Sequence, residues 1–511
     1  MSSDKPIDPD NIRKILQNKL GSGIQVEVFP QPQPQEEDSD QADAQEQRDQ
    51  ALKFDYKPSE IKKYLDRFVI QQNDAKKVLA TAICDHYHHV QRSEDTEDWR
   101  DYKKQNILLI GPTGVGKTYL IQNIARLIGV PFVKADATKY SETGYVGGDV
   151  EDLIRELVAQ AGNDIQLAER GIVYLDEIDK IASPANLHGR DVSGHGVQRN
   201  LLKLMEETEV PLRSSTDIAG QMQAFMEIQS TGKIEKKTIN TRHILFIVSG
   251  AFNGLTEIIK KRIGSKQIGF MGEKTSADVE HSLCEQAKSV DFMEYGFEAE
   301  FAGRLPVLVH CQTLTVADLF DILKHSEGSI LKQYKKDFLA YGIDVYFTDD
   351  GMQAIAEGAA QEQTGARGLM SVCEKTFREF KYRLPDSDVR EVVVTGELVR
   401  DPQSKLEVLL AKPDLYSGQV ISWKLKKCES RLLERYKIQV NFTPEAGELL
   451  AEKAREEDQQ IEEYCQILFE QFEHALNLLS KASSETPFVF DENAVRNPDA
   501  TFERWIRDTY R

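Results

Sequence analysis

The 511-residue sequence has no paired cysteines, no long apolar run and no excess of positive charge. Each absence excludes something. Cys84, Cys284, Cys311, Cys373, Cys428 and Cys465 are scattered and form no C-x-x-C pair. That argues against a structural zinc site and fits a reducing compartment. No stretch approaches the roughly 20 apolar residues of a membrane span, and the opening MSSDKPIDPD has no signal-peptide pattern. A soluble, cytoplasmic protein is expected. The net charge of −20 disfavours nucleic acid and anionic membranes as partners of the whole chain. Neither H-E-x-x-H nor G-x-S-x-G occurs, so peptide-bond cleavage by this chain is not expected.

What is present is globular, with 40% hydrophobic and 29% charged residues, in a length that suits two or three domains. Residues 1–30 hold only a helix candidate, DNIRKILQNKL, and a strand candidate, IQVEVF. Residues 30–52 are Pro, Gln and acid, a solvated linker. From Lys53 the apolar runs NILLIG, VPFVKAD, GIVYLDE and HILFIVSG alternate with helical patterns. This predicts an α/β domain with a buried parallel sheet. The cluster CDHYHH, Cys84 to His89, reads as a helix surface rather than a metal site. After about residue 312 amphipathic helices dominate. There Tyr341, Ile343, Val345, Phe347 and Thr348 recur ninety-five residues later as Tyr436, Ile438, Val440, Phe442 and Thr443, a degenerate internal repeat.

GPTGVGKT comprises Gly111, Pro112, Thr113, Gly114, Val115, Gly116, Lys117 and Thr118. It follows an apolar strand and opens a helical pattern, the setting a phosphate-binding loop requires. Its glycines let backbone N–H groups close on phosphate oxygens, and the helix directs its positive end there. Lys117 suits the outer phosphates and Thr118 suits Mg²⁺. Hydrolysis needs a second carboxylate site. GIVYLDEID supplies Asp176 for the Mg²⁺ shell and Glu177 to orient or deprotonate water. No base-reading N-K-x-D occurs, which favours ATP over GTP.

With these motifs the chain resembles AAA+ ring ATPases of the Clp/Hsp100 family, and is most similar to ClpX-type unfoldases, from about residue 54 to 411. The resemblance implies a parallel five-stranded P-loop domain at 53–312 and a smaller, mainly helical α+β lid domain at 313–412. An extra helical module at 413–511 repeats the latter, and 1–52 is a short segment and linker. RFVIQQNDAKKV resembles the adenine-side segment and assigns Val69 and Ile70 to the base, although Gln71 stands where glycine is usual. HILFIVSGAF places Ser249 near the polar sensor position. EFAGRLPVLV makes Arg304 an arginine finger for a neighbouring subunit, and TGARGL makes Arg367 the sensor of its own. TGYVGGDV resembles the first pore loop, with Tyr145 and Val146 as an apolar grip on flexible glycines. Arg190 belongs to the second. A homo-hexamer acting on protein substrates is implied.

Ile268, Gly269 and Phe270 match the tripeptide by which such unfoldases dock on a ClpP-like peptidase. Departures are as informative. The paired-cysteine zinc domain is missing, the Arg-Lys-His loop is absent from a longer 211–238 stretch, and Glu462 occupies the repeat position of Arg367. The resemblance implies an ATP-driven ring unfoldase that threads polypeptides through a central pore and delivers them to such a peptidase. Peptidase-free remodelling of complexes is the alternative, and a nucleotide-gated scaffold a third reading that intact Asp176, Glu177, Arg304 and Arg367 count against.

Overall fold

The computed structural model describes residues 54–95, 104–141, 148–182, 194–212, 237–264, 283–457, 459–481 and 487–510. These lie within one compact unit, Lys53–Arg511. Tyr145, Val146, Arg190 and the Ile268–Phe270 tripeptide lie outside the described residues, as do residues 1–53.

Two helices, α1 (Pro58–Phe68) and α2 (Asn73–Asp95), precede the sheet. Its strands are β1 (Ile107–Ile110), β2 (Phe132–Asp136), β3 (Ile172–Asp176), β4 (Leu245–Gly250) and β5 (Val307–His310). All pairs are parallel, in the order β2-β3-β4-β1-β5. Leu108, Ile110, Val173, Leu175, Phe246 and Val248 join one apolar cluster, while the alternate residues Ile107, Leu109, Ile172, Tyr174 and Ile247 are also buried. A sheet covered on both faces accounts for runs that are apolar without alternation. Helices α3 (Lys117–Ile128), α4 (Asp152–Gln160), α5 (Gly194–Met205) and α6 (Ala299–Gly303) matter for the site.

The histidine cluster sits on α2 and faces inward. His86 Nε2 meets the His243 carbonyl at 3.0 Å and the Tyr87 hydroxyl donates to the Arg170 carbonyl at 2.9 Å. Among the described residues no group of three or more His, Cys, Asp or Glu could hold a metal ion. No helix among them is long and apolar enough to cross a membrane. Burial, aided by the nearby Lys104 cation, pulls the His86 pKa down to about 3. The unfolded chain therefore binds a proton below pH 6.5 that the native state refuses. This contribution to stability is complete above pH 6.5 and is lost as pH falls toward 3. Thermal midpoints should drop through that window, and His86→Gln, which retains a donor for the His243 carbonyl, should flatten the slope.

Beyond the sheet, helices α7 (Val316–His325), α8 (Ile330–Leu339), α9 (Asp349–Gln361) and α10 (Arg367–Arg383) pack with strands β6 (Asp344–Phe347) and β7 (Glu391–Val394), followed by α11 (Gly396–Arg400) and α12 (Pro402–Ala411). The same order then recurs. It runs α13 (Ser417–Tyr436), β8 (Val440–Phe442), α14 (Pro444–Glu456), α15 (Ile461–Gln471), α16 (Glu473–Lys481), β9 (Phe488–Phe490), α17 (Glu492–Arg496) and α18 (Pro498–Thr509). β6 pairs with β7, and β8 with β9, both in parallel. The local chemistry matches too. Thr348 and Thr443 cap α9 and α14, and each donates its backbone N–H at 3.1 Å to the last residue of the partner strand, Val394 or Phe490. The copies differ where α10 runs unbroken and its counterpart divides into α15 and α16.

Their junction is polar. Buried Lys424 on α13 reaches Gln460 at 3.2 Å and both Asp344 and Glu391 at 3.9 Å, and Trp423 lies against Tyr346 with ring centroids 6.1 Å apart. The buried Lys424 ammonium thus faces two carboxylates of the first copy across the junction.

Candidate functional site

The loop after β1 takes the conformation its glycines permit. Gly111, Gly114 and Gly116 have φ of 153°, 78° and 95°. A side chain at Gly111 would come within 2.5 Å of the Cys311 carbonyl. Helix α3 begins directly after Gly116, so its free N–H groups and positive end face the loop. Lys117 is buried, and its ammonium donates to the Gly111 and Pro112 carbonyls at 2.6 and 2.8 Å. Burial lowers its pKa.

Sheet register brings the carboxylates to this loop. Asp176 ends β3 beside Ser249 of β4. Ser249 Oγ donates to Asp176 Oδ1 at 2.6 Å and Thr118 Oγ1 to Asp176 Oδ2 at 3.3 Å. Sequence reasoning missed Tyr174. Its buried hydroxyl lies 2.6 Å from Ser249 Oγ and 3.2 Å from Thr118 Oγ1, joining all three elements. The signal was available, because residues two apart on a strand share a face and Tyr174 precedes Asp176 by two. Glu177 leaves the strand at φ 56° and ψ 33° and donates its N–H to Asp176 Oδ1 at 3.0 Å. A left-handed non-glycine residue is uncommon, and here it turns the chain sharply away from β3.

Lys117, Thr118, Asp176 and Glu177 line a cavity of about 510 Å³ together with Val69, Ile70, Thr113, Gly114, Val115, Gly116 and Arg367. Gly111 and Pro112 line its neighbour, and Ser249 acts from behind Asp176. Val69 and Ile70 share an apolar end with Leu314, Ile322, Ile330 and Leu369. That end is pinned by Arg67, which meets Glu327 at 2.7 and 2.9 Å, and by the Ser326 hydroxyl donating to the Phe68 carbonyl at 2.6 Å. Gln71, standing where glycine is usual, has φ of 60°, and buried Gln72 follows at 58°. The Gln72 side chain exchanges two hydrogen bonds with the Gln312 backbone, at 2.8 and 2.7 Å, and holds the turn without glycine.

The Arg367 side of the cavity rests on a backbone seam. The Ala366 N–H donates to the Gly114 carbonyl at 2.9 Å, and Gly365 sits at φ 60°. A Cβ at Gly365 would meet that carbonyl at 2.7 Å. Gly365→Ala should therefore weaken nucleotide binding at least about tenfold, since a shift of an ångström in a positioned group has effects of that order or more. Gly129→Ala is the control. Gly129 has φ 77° but open space around its would-be Cβ, so it should lose stability without losing affinity. Titration of both variants with a fluorescent ATP analogue separates the two effects.

Arg304 does not line this cavity. Its guanidinium pairs with Glu206 and its carbonyl accepts from Asn106 Nδ2 at 3.1 Å.

Residues 102–308 match the AAA domain (Cdc48 subfamily). Over 347 residues, 67% of this chain and 78% of the relative, the sequence is 41% identical to the ATP-dependent Clp protease ATP-binding subunit ClpX of Borrelia duttonii (strain Ly). The same figures hold for the protein of that name from Borrelia recurrentis (strain A1). The chain belongs to the ClpX family of AAA+ ATPases. Membership of the family implies nucleotide binding, and the cavity sets a glycine loop at a helix N-terminus beside two carboxylates at the C-terminal end of the inner strand β3. The ClpX-family assignment also makes a Clp-type chaperone of this chain.

Proposed function

We propose that this protein is a ring unfoldase that hydrolyses ATP to thread polypeptides through a central pore. The observation that carries the proposal is the cavity uniting the glycine loop, the β3 carboxylates and Arg367 of the smaller domain. In this reading Val69 and Ile70 line the base and the 111–116 loop takes the phosphates. Lys117 neutralises the outer ones and Ser249 holds Asp176 in place. Thr118 and Asp176 are hard oxygen donors 3.3 Å apart, which suits Mg²⁺, an ion that keeps waters and phosphates as its other ligands. When bound it offsets the phosphate charge. Glu177 accepts the proton of the attacking water, Arg367 serves its own subunit, and Arg304 serves the next one in a hexamer.

Tyr145, Val146 and Arg190 grip the passing chain, and Ile268, Gly269 and Phe270 dock on a ClpP-like peptidase in the cytoplasm, this chain having no peptidase of its own. A second reading, a peptidase-independent remodelling chaperone, is favoured by the second copy of the small-domain fold, which offers a further surface for partners. The test mixes full-length Glu177→Gln protein, ATP and Mg²⁺ with the ClpP peptidase of the same organism on a sizing column. A shared high-mass peak abolished by Ile268→Ala/Phe270→Ala is expected. A ring that runs apart from the peptidase selects the remodelling chaperone.

A further inference from the structure

Arg304 lies away from the cavity of its own chain, so the segment that carries it must be held by something else. Helix α5 does this at two points. At the first, the fully buried Gln198 side chain accepts the Glu298 N–H at 2.8 Å and donates to the Gly296 carbonyl at 3.3 Å. Next to it, Arg199 Nε donates to Glu298 at 3.0 Å. At the second, Glu206, the residue after α5, pairs with Arg304. Buried Asn106 donates to the Met205 carbonyl at 3.4 Å and to the Arg304 carbonyl at 3.1 Å, and accepts the Phe246 N–H at 3.4 Å. At about 1.5 Å rise per residue the two points lie roughly 12 Å apart along one helix. The segment from Gly296 to Arg304, with α6 in its middle, is thus tied to α5 at both ends.

Gln198 has one more bond. Its Nε2 also donates to the Ile181 carbonyl at 2.9 Å. Ile181 closes the single turn, Ile178–Ile181, that follows Glu177. One buried amide therefore touches both the hydrolytic turn of its own site and the backbone leading to Arg304. A buried amide is costly to leave unpaired, so a displacement of the turn is passed on more cheaply than it is absorbed at Gln198.

We infer that Gln198 is a positioning residue that joins the Glu177 turn of one subunit to the segment presenting Arg304 to the next. The state of one site then sets the arginine placement at its neighbour. This rests on the ring reading above, in which Arg304 acts in trans.

The experiment uses mixed rings of two full-length populations. Donor subunits carry Glu177→Gln, so their own sites are inactive but they still offer Arg304. Acceptor subunits carry Arg304→Ala, so they turn over ATP only beside a donor. Adding Gln198→Ala to the donor alone leaves every residue of the acceptor site intact. The expected result is a fall of about tenfold in kcat at unchanged KM for ATP, a fraction of the 10³–10⁵ an arginine finger supplies. Donor folding and ring entry are read by melting temperature and sizing. Should Gln198→Ala donors fail to assemble, Gln198→Met donors carry the test, because methionine keeps the buried volume and removes only the amide that bonds Ile181, Gly296 and Glu298. Unchanged turnover with assembled Gln198→Ala donors, or with Gln198→Met donors where the former do not assemble, overturns the inference. If unmodified donors fail to restore acceptor turnover at all, the action of Arg304 in trans falls first, and the inference with it.

Discussion

Glu177→Gln should bind ATP as the parent protein does and hydrolyse it at least about a hundredfold more slowly, the lower end of what a general base contributes. The structure makes this a clean substitution. Glu177 sits one residue past β3, and its backbone is held by its own N–H on Asp176 and by the Lys180 N–H on its carbonyl at 3.0 Å. The left-handed turn is therefore kept when the side chain becomes an amide of equal size. Lys117, Thr118 and Asp176 are untouched. Only the ability to accept a proton is lost. Steady-state phosphate release paired with nucleotide-binding titration reads both halves. Equal near-zero turnover in the parent and the variant, each properly assembled, would make the protein a nucleotide-gated scaffold.

Arg304→Ala should cost more, about a thousandfold in kcat, with nucleotide affinity unchanged within a few-fold. Guanidinium groups spread charge over the transferred phosphoryl oxygens, and the loss of one falls on the transition state rather than on binding. Arg304 is absent from the cavity of its own chain, so affinity measured on separated subunits has no reason to move. In the single chain its partner is Glu206, with both side chains about two-fifths exposed. A pair that open is worth at most about 1 kcal/mol, so it releases the arginine readily and its removal hardly destabilises the fold. Turnover surviving in Arg304→Ala rings would reduce the residue to a surface ion pair and remove the catalytic argument for a ring.

Much of the site was written locally. The glycine loop, the strand before it and the helix after it are a continuous stretch, and each residue type is dictated by backbone geometry within that stretch. The same holds for Asp176 and Glu177 at the end of an unbroken apolar run. The parallel sheet was readable because strands buried on both faces leave no polar alternation. The repeat was readable because its strands and threonine caps keep their spacing.

Tertiary structure decided the rest, because the rest depends on residues far apart in sequence. Tyr174 looked like another apolar strand residue until the register of β3 and β4 set its hydroxyl against Ser249. Gly365 gained its meaning only from the Gly114 carbonyl, some 250 residues earlier, whose approach leaves no room for a Cβ. Lys424 became a clamp only because α13 lies against the ends of β6 and β7. Nothing in the sequence singles out Gln198, and its burial between Ile181, Gly296 and Glu298 could come only from the packing of three separate segments. Sequence alone determined which chemistry this protein carries, since reactive groups and their backbone mounts are neighbours along the chain. How those groups are held and linked was settled by long-range packing, where a single buried amide or carbonyl selects its partners by geometry that no local pattern encodes.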